Sequence, residues 1–406
     1  MKVKATALTL LWVLMLLATS TERRSQALGR DSFRAGEINV GLIPGAEIEA
    51  FNLRYGTSVL EEIPGADQYR LRLPLGETVE AALAKARLDP TVLFADPNYY
   101  YLSPEVRQTS QAFVDQTSQA FVDNSSPAKF WTQGTIANLR ITEAHAWSRG
   151  TGVRVAVIDT GLDLDHPLFA GRITGPVYDF VSNDLDPSEE MGGPSAGHGT
   201  FVAGLIALTA PEALIQPVRA FNRDGRGTSF DIAKAIRFAG ENGAQVINMS
   251  FGLLQEDRLI KEALGAVYEN SYMVASAGND NLNLVHFPAG VKSKALSVTS
   301  TTVGDRKAAF ANYDVHVQAA APGENLFSAY PGNRWAVWSG TSFSTALVSG
   351  EAALLLALDP YANRSRLNEV IRSSGVNINS LNAVYAGKLG RRIDPLAAIR
   401  AILLRD

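Results

Sequence analysis

Between Val153 and Ile399 the sequence alternates short apolar runs with longer helical patterns, and this rhythm constrains the fold more than any other feature. Val153 to Ile158, Leu214 to Val218, Gln245 to Met249, Tyr272 to Ala277 and Ala295 to Thr299 read as strands. Phe230 to Ala239 places Ile232, Ala235, Ile236 and Ala239 on one helical face, and Gly243 fits a C-terminal cap. Leu259 to Tyr268 reads as another helix. The expectation is an α/β fold, a mostly parallel sheet sandwiched between helices. Such sheets carry their chemistry just beyond the carboxyl ends of the strands.

Composition sets the outer bounds. The 406 residues are 46% hydrophobic and 19% charged, which suits a packed core and excludes wholesale disorder. At roughly 100–200 residues per domain, two to four folding units are expected. A net charge of −4 gives no basic field, so neither nucleic acid nor a membrane surface is expected as a partner. The absence of cysteine excludes disulfide frameworks, thiolate nucleophiles and zinc–thiolate sites.

The N-terminus carries Lys2 and Lys4, then an uncharged stretch from Ala5 to Ala18, then the small residues Ala18 and Ser20. This is the pattern of a secretory signal over 1–20. The apolar stretch falls short of the about 20 residues a membrane span needs. A secreted bacterial protein is expected, free, periplasmic or surface-associated. Residues 21–103 read as a small separate α/β unit. Val59 to Ile63, Tyr69 to Leu73 and Val92 to Ala95 look like strands, and Thr78 to Ala86 like a helix. Residues 104–128 read as a linker that repeats QTSQAFVD at 108–115 and 116–123. Two copies are too few for a repeat fold, which needs about three. Residues 129–406 form the large domain.

Polar residues fall at the strand and helix junctions of that domain. Asp159 closes the first strand, and His198 sits between Gly197 and Gly199 at the start of an apolar helix. Asn279 follows a buried strand, and Ser342 opens the helix Phe343 to Leu358. An acid, an imidazole and a hydroxyl are what acyl transfer needs. The hydroxyl requires a base, and the base requires an acidic partner to fix its tautomer. Asn279 and the Ser342 N–H suit an oxyanion hole. Residue types and spacing alone do not single out these partners in a chain of this length.

The motifs around them resemble the subtilisin-like serine proteases. The matching segments are Ala156 to Gly161 with Leu164 to Pro167, Gly197 to Gly204, Val246 to Gly252, Ala277 to Asn279, and Ala321 to Gly323 with Ser339 to Ser342. The resemblance spans 139–400. It implies that Ser342 is the nucleophile, His198 the base and then acid, and Asp159 the orienting carboxylate. Asn279 would donate to the oxyanion. Ser250, Phe251 and Gly252, with Gly227 opposite, would hold an extended polypeptide substrate by strand addition. No cofactor is needed for this catalysis. Asp96 to Tyr99 resembles the end of the family's inhibitory propeptide, so the chain would be a zymogen. Its own propeptide would aid folding and block the cleft, and self-cleavage would fall between Leu102 and Lys129. A monomer is the family default.

Three departures from the family pattern stand out. Phe201 and Leu347 replace two histidines usual near the site, and core packing is expected for both. His166 is expected to be a turn or packing residue. His286 lies in a short segment, Asp280 to Pro288, that approaches the primary pocket; if it lines that pocket, large aromatic side chains should fit poorly. Asp184, Asp186, Glu189 and Glu190 cluster in one loop, a pattern that suits a structural calcium ion. The loop also resembles a calcium loop of the thermitase-like branch. The competing reading is a weak or self-processing-only member of the same fold, serving as a binding or scaffold protein.

Overall fold

The computed structural model describes residues 32–103, 105, 120–123 and 127–404. The signal expected over 1–20 and most of the duplicated linker lie outside these residues.

The N-terminal unit is built from strands β1 (Phe33–Leu42), β2 (Ser58–Ile63), β3 (Gln68–Arg72) and β4 (Val92–Leu102). They pair antiparallel in the order β2-β3-β1-β4. Helices Ile48–Tyr55 and Val79–Ala86 cover one face, burying Val40, Phe51, Leu71 and Leu83. Thr78 caps the second helix, its Oγ1 accepting from Ala81 N at 3.2 Å. The sequence pattern does not reveal β1 or the helix at 48–55. Its other strands and its helix fall within one residue of the observed starts, and the last strand runs on to Leu102.

In the large domain the strands that follow β5 (Phe121–Asp123) begin, after short helices at Gly134–Asn138 and Ile141–His145, with β6 (Arg154–Asp159). Then follow β7 (Tyr178–Asp179), β8 (Leu214–Arg219), β9 (Arg226–Thr228), β10 (Val246–Met249), β11 (Tyr272–Ser276), β12 (Ala295–Thr301) and β13 (Ala319–Pro322). The last strands are β14 (Leu326–Tyr330), β15 (Arg334–Trp338) and β16 (Arg391–Arg392). Among the described residues, eight of these form one sheet in the order β16-β13-β12-β11-β10-β6-β8-β7. Every pairing in it is parallel. Strands β10, β11 and β12 are buried along their whole length, as a sheet covered on both faces requires.

One face carries helices His198–Thr209 and Thr341–Leu358. They approach closely at Gly350, where a Cβ would lie 2.5 Å from Thr209 Cβ. The second helix is long and apolar enough by composition to cross a membrane, but 89% of that stretch is buried in this core. Phe201 and Leu347 are fully buried in it. The Phe201 ring lies 4.5 Å from that of Phe343, tilted by 51°, and 5.8 Å, edge-on, from Trp338.

The opposite face carries helices Ser229–Glu241 and Arg258–Val267, capped by Thr228 and Asp257. The N-terminal unit docks on these two helices. Ile63 and Phe94 join their core, and Arg70 lies over the Phe230 ring at 5.6 Å. Lys234 pairs with Glu61. Asn98 Oδ1 accepts from Phe230 N at 3.3 Å, and Asn39 Nδ2 donates to Ser229 Oγ at 2.9 Å. The N-terminal unit therefore hydrogen-bonds the first turn of a helix in the large domain. Strand β5, the end of the second repeat copy, pairs antiparallel with β15, so this part of the expected linker is built into the large domain.

Candidate active site

The site starts where β6 ends. Asp159 Oδ1 accepts from Thr160 N at 2.8 Å and faces His198 Nδ1 at 2.6 Å. His198 is the first residue of its helix. Gly197 before it adopts a left-handed φ of 86°, and a Cβ on Gly199 after it would collide with Gly161 O. The glycines on either side of His198 thus set the turn and let the helix start meet the aspartate strand. Thr160 Oγ1 accepts from Gly199 N at 2.9 Å, tying the two together.

Ser342 is the second residue of its helix, with Asn279 beside it. Asn279 Oδ1 accepts from Thr341 N at 3.0 Å and from Thr341 Oγ1 at 2.8 Å. With the carbonyl fixed, the amide Nδ2 points into the site. Ser342 Oγ lies 3.3 Å from Ser250 O.

A carboxylate from the N-terminal end occupies the centre. Glu105 Oε2 lies 2.9 Å from both His198 Nε2 and Ser342 Oγ, and Asn279 Nδ2 donates to Glu105 Oε1 at 3.2 Å. Glu105, His198 and Ser342 are fully buried. Burial lowers the His198 pKa, but the negative charges of Asp159 and Glu105 and their hydrogen bonds outweigh it and hold it well above the usual value. Carboxylates on both ring nitrogens thus favour the protonated imidazole, the form that cannot take the Ser342 proton. Sequence reasoning misses Glu105, since no motif marks it. Its one signal is position, three residues beyond the end of β4.

Strand β4 leads to this carboxylate along a route laid for a peptide. Tyr100, Tyr101 and Leu102 pair antiparallel with Thr228, Gly227 and Arg226 of β9. On the other side Gly252 N donates to Leu102 O at 3.1 Å. Ser103 N donates to Gly225 O at 3.1 Å. Tyr101 is buried with its ring edge-on to Phe251 at 5.9 Å. Gly227, Phe251 and Gly252 thus flank one strand, with Ser250 at its active end. His286 is fully buried against Gly252 and Gly278.

The remaining expected residues stand elsewhere. His166 starts a short helical turn, its Nδ1 accepting from Leu168 N at 3.2 Å and its ring edge-on to Trp335. The acidic loop does not converge. Asp184 Oδ1 accepts from Asp186 N at 2.9 Å, and Asp186 Oδ1 from Ser188 N at 3.1 Å. Glu189 turns inward, where Oε2 accepts from Thr200 N and Oγ1 at 3.0 and 2.9 Å in the first turn of the His198 helix. Burial raises its pKa. Glu190 pairs with Arg219 at 2.6 Å. Among the described residues no three acidic or histidine side chains gather as a metal group.

Comparison with known proteins finds relatives of both parts of the chain. The subtilase family matches residues 150–386, and the fervidolysin N-terminal prodomain matches residues 19–98. A thermophilic serine proteinase of Bacillus sp. strain AK1 is 32% identical over 83% of this chain and 84% of its own. Thermitase of Thermoactinomyces vulgaris is 36% identical over 61% of this chain and 90% of its own. Among solved structures, fervidolysin from Fervidobacterium pennivorans, a keratinolytic enzyme related to subtilisin, superposes with a TM-score of 0.74 at 23% identity. That match covers 91% of this chain and 61% of fervidolysin.

Proposed function

The chain belongs to the subtilase family, a serine endopeptidase made behind an N-terminal prodomain and acting outside the cell, and from that premise we propose how its residues divide the work. Ser342 attacks the carbonyl of an extended polypeptide. His198 takes the hydroxyl proton and returns it to the leaving amine, and Asp159 fixes the imidazole by accepting from Nδ1. Asn279 Nδ2 and the Ser342 N–H carry the negative charge that develops on the carbonyl oxygen. An acyl-enzyme forms on Ser342 Oγ and is hydrolysed by water. Substrate backbone lies between Gly227 and Gly252, where β4 lies in the zymogen.

The observation that carries this reading is Glu105. Its carboxylate meets the three donors that a developing oxyanion and its proton would use. The zymogen is blocked because β4 fills the backbone channel and Glu105 fills the chemical centre. Self-cleavage between Leu102 and Lys129 then frees the cleft. Expressed beside Ser342→Ala, the wild-type chain should shorten to a product beginning within that window and digest casein, and the variant should do neither. A variant that digests casein as well as the wild type would overturn the assignment of Ser342.

A structural calcium ion forms a separate part of the proposal. Glu189 and Glu190 are engaged by the His198 helix and Arg219, which leaves Asp184 and Asp186 with loop carbonyls as the oxygen donors. Chelation should lower the melting temperature by several degrees, through loss of a ligand that binds the folded chain. Identical melting in calcium and in chelator would end this part.

A further inference from the structure

We infer that His286 and Asp280 together close the primary substrate pocket, so that this endopeptidase cleaves after small side chains: glycine, alanine or serine. The inference rests on the functional reading above and adds the substrate class to it.

The geometry begins with the two walls of the channel. Gly252 bonds the backbone of the bound strand at Leu102, and Gly278 immediately precedes Asn279. The side chain of the residue before the scissile bond must enter between these walls, next to Ser342. The imidazole of His286 already stands there. A Cβ on Gly252 would lie 2.6 Å from His286 Cβ and 2.9 Å from its Nδ1. A Cβ on Gly278 would lie 2.6 Å from His286 Cε1. One ring thus touches both walls, and only glycine fits on either side.

The ring is also held. His286 Nε2 lies 2.7 Å from Asp280 Oδ2, and both side chains are buried. His286 N donates to Ala277 O at 3.0 Å, which ties its backbone to the Gly278 wall. The next residue exchanges both backbone hydrogen bonds with Leu253, at 2.8 and 2.9 Å, which ties it to the Gly252 wall. Swinging the imidazole out would break a buried charge-assisted contact, so the slot does not open for a larger guest at low cost. A phenyl or isobutyl group would have to share the slot with the ring, and overpacking a fixed slot is unfavourable. A methyl or hydroxymethyl group needs little space. Nδ1 has no hydrogen-bond partner among the described residues, which leaves it available to a serine hydroxyl.

The test uses the processed enzyme and peptide anilides that differ only in the residue before the cleaved bond. Active sites are first counted with a fluorophosphonate, which reacts with the serine whatever that residue is. With sites titrated, kcat/KM for alanine or serine should exceed that for phenylalanine by about 100-fold, the scale of a steric misfit in a pocket. In His286→Gly the phenylalanine-to-alanine ratio should rise by about 30-fold or more on the same scale. A titrated wild type that prefers phenylalanine overturns the inference, as does an unchanged ratio in the titrated variant. If the variant does not titrate, the wild-type ratio decides alone. A wild type that neither titrates nor cleaves any peptide fails the peptidase reading itself, which is a different result.

Discussion

A zymogen carrying Glu105→Ala should react with a small fluorophosphonate at Ser342 about 100-fold faster than the wild-type zymogen, before any processing occurs. Glu105 accepts from His198, Ser342 and Asn279 inside a fully buried site. Hydrogen bonds to a charged group are each worth about 1.5–3 kcal/mol net, so losing the equivalent of one or two should release roughly 2–4 kcal/mol of inhibition. The substitution also removes one of the two neighbouring carboxylates that raise the His198 pKa. The sign follows directly. A raised histidine pKa withholds the base form until higher pH, so removing Glu105 should move the midpoint of the labelling profile to lower pH. Backbone pairing between Leu102 and Gly252 stays in place, so casein hydrolysis should lag behind labelling by the small probe. Intact-mass measurement of the labelling rate decides the matter. Equal rates in the two zymogens would mean that the strand alone, and not the carboxylate, silences the site.

Prodomain affinity should weaken as pH rises toward about 7, by at most about tenfold per pH unit while one proton is linked to association. The proton sits on Asp257, the fully buried cap of the Arg258–Val267 helix. Burial, and then the nearby charge of Asp96 on β4, push its pKa up to about 7. Hydrogen bonds from Leu259 N, Ile260 N and Ser229 act in the opposite direction. Asp96 is itself held by Arg87 at 3.0 Å and accepts from Arg258 N at 3.3 Å. In the free processed enzyme the charge of Asp96 is gone, so the carboxyl's pKa falls below its value in the complex. Between the two values the complex holds a proton that the separated partners release, so acid favours the complex and neutrality favours release. Above about 7 both forms are ionised and the dependence flattens. Asp257→Asn keeps a cap at this position and removes the titration. Binding of the prodomain to processed enzyme at several pH values should slope in the wild type and be flat in this variant. The same slope in both would place the linked proton elsewhere.

Much of this architecture is legible in the sequence, for reasons that differ by element. The parallel strands are short unbroken apolar runs, and a strand buried on both faces cannot be written otherwise. The catalytic junctions are legible because glycine must sit where helix and strand meet closely, as at Gly199, and glycines fix a motif's spacing. Strand β1 escapes the reading although Ile38, Val40 and Leu42 alternate with Glu37, Asn39 and Gly41, because that alternation is brief and is preceded by Arg34 and Gly36. Asn39 is buried and polar because it bonds Ser229 of the large domain, a demand that arises only on docking. Glu105 escapes for the same reason. A glutamate after an extended run is unremarkable until the run is laid in the cleft. The acidic loop is legible only as a cluster in sequence, and the pairing of Glu189 with the His198 helix and of Glu190 with Arg219 is not, since both partners come from distant segments.

The hydrogen bonds that the prodomain makes at the start of the Ser229–Glu241 helix have a consequence for the enzyme's history. Asn98 satisfies Phe230 N, and Asp96 stands at the start of the neighbouring helix, so both helix starts are completed by a segment that the finished enzyme discards. Forming the parallel sheet already requires contacts between distant parts of the chain, which makes folding slow. If these contacts form early, the mature domain should refold more slowly alone than with the prodomain added back. Maturation would then be a one-way step, and the durability of the working enzyme would be measured as a lifetime and not as an equilibrium constant.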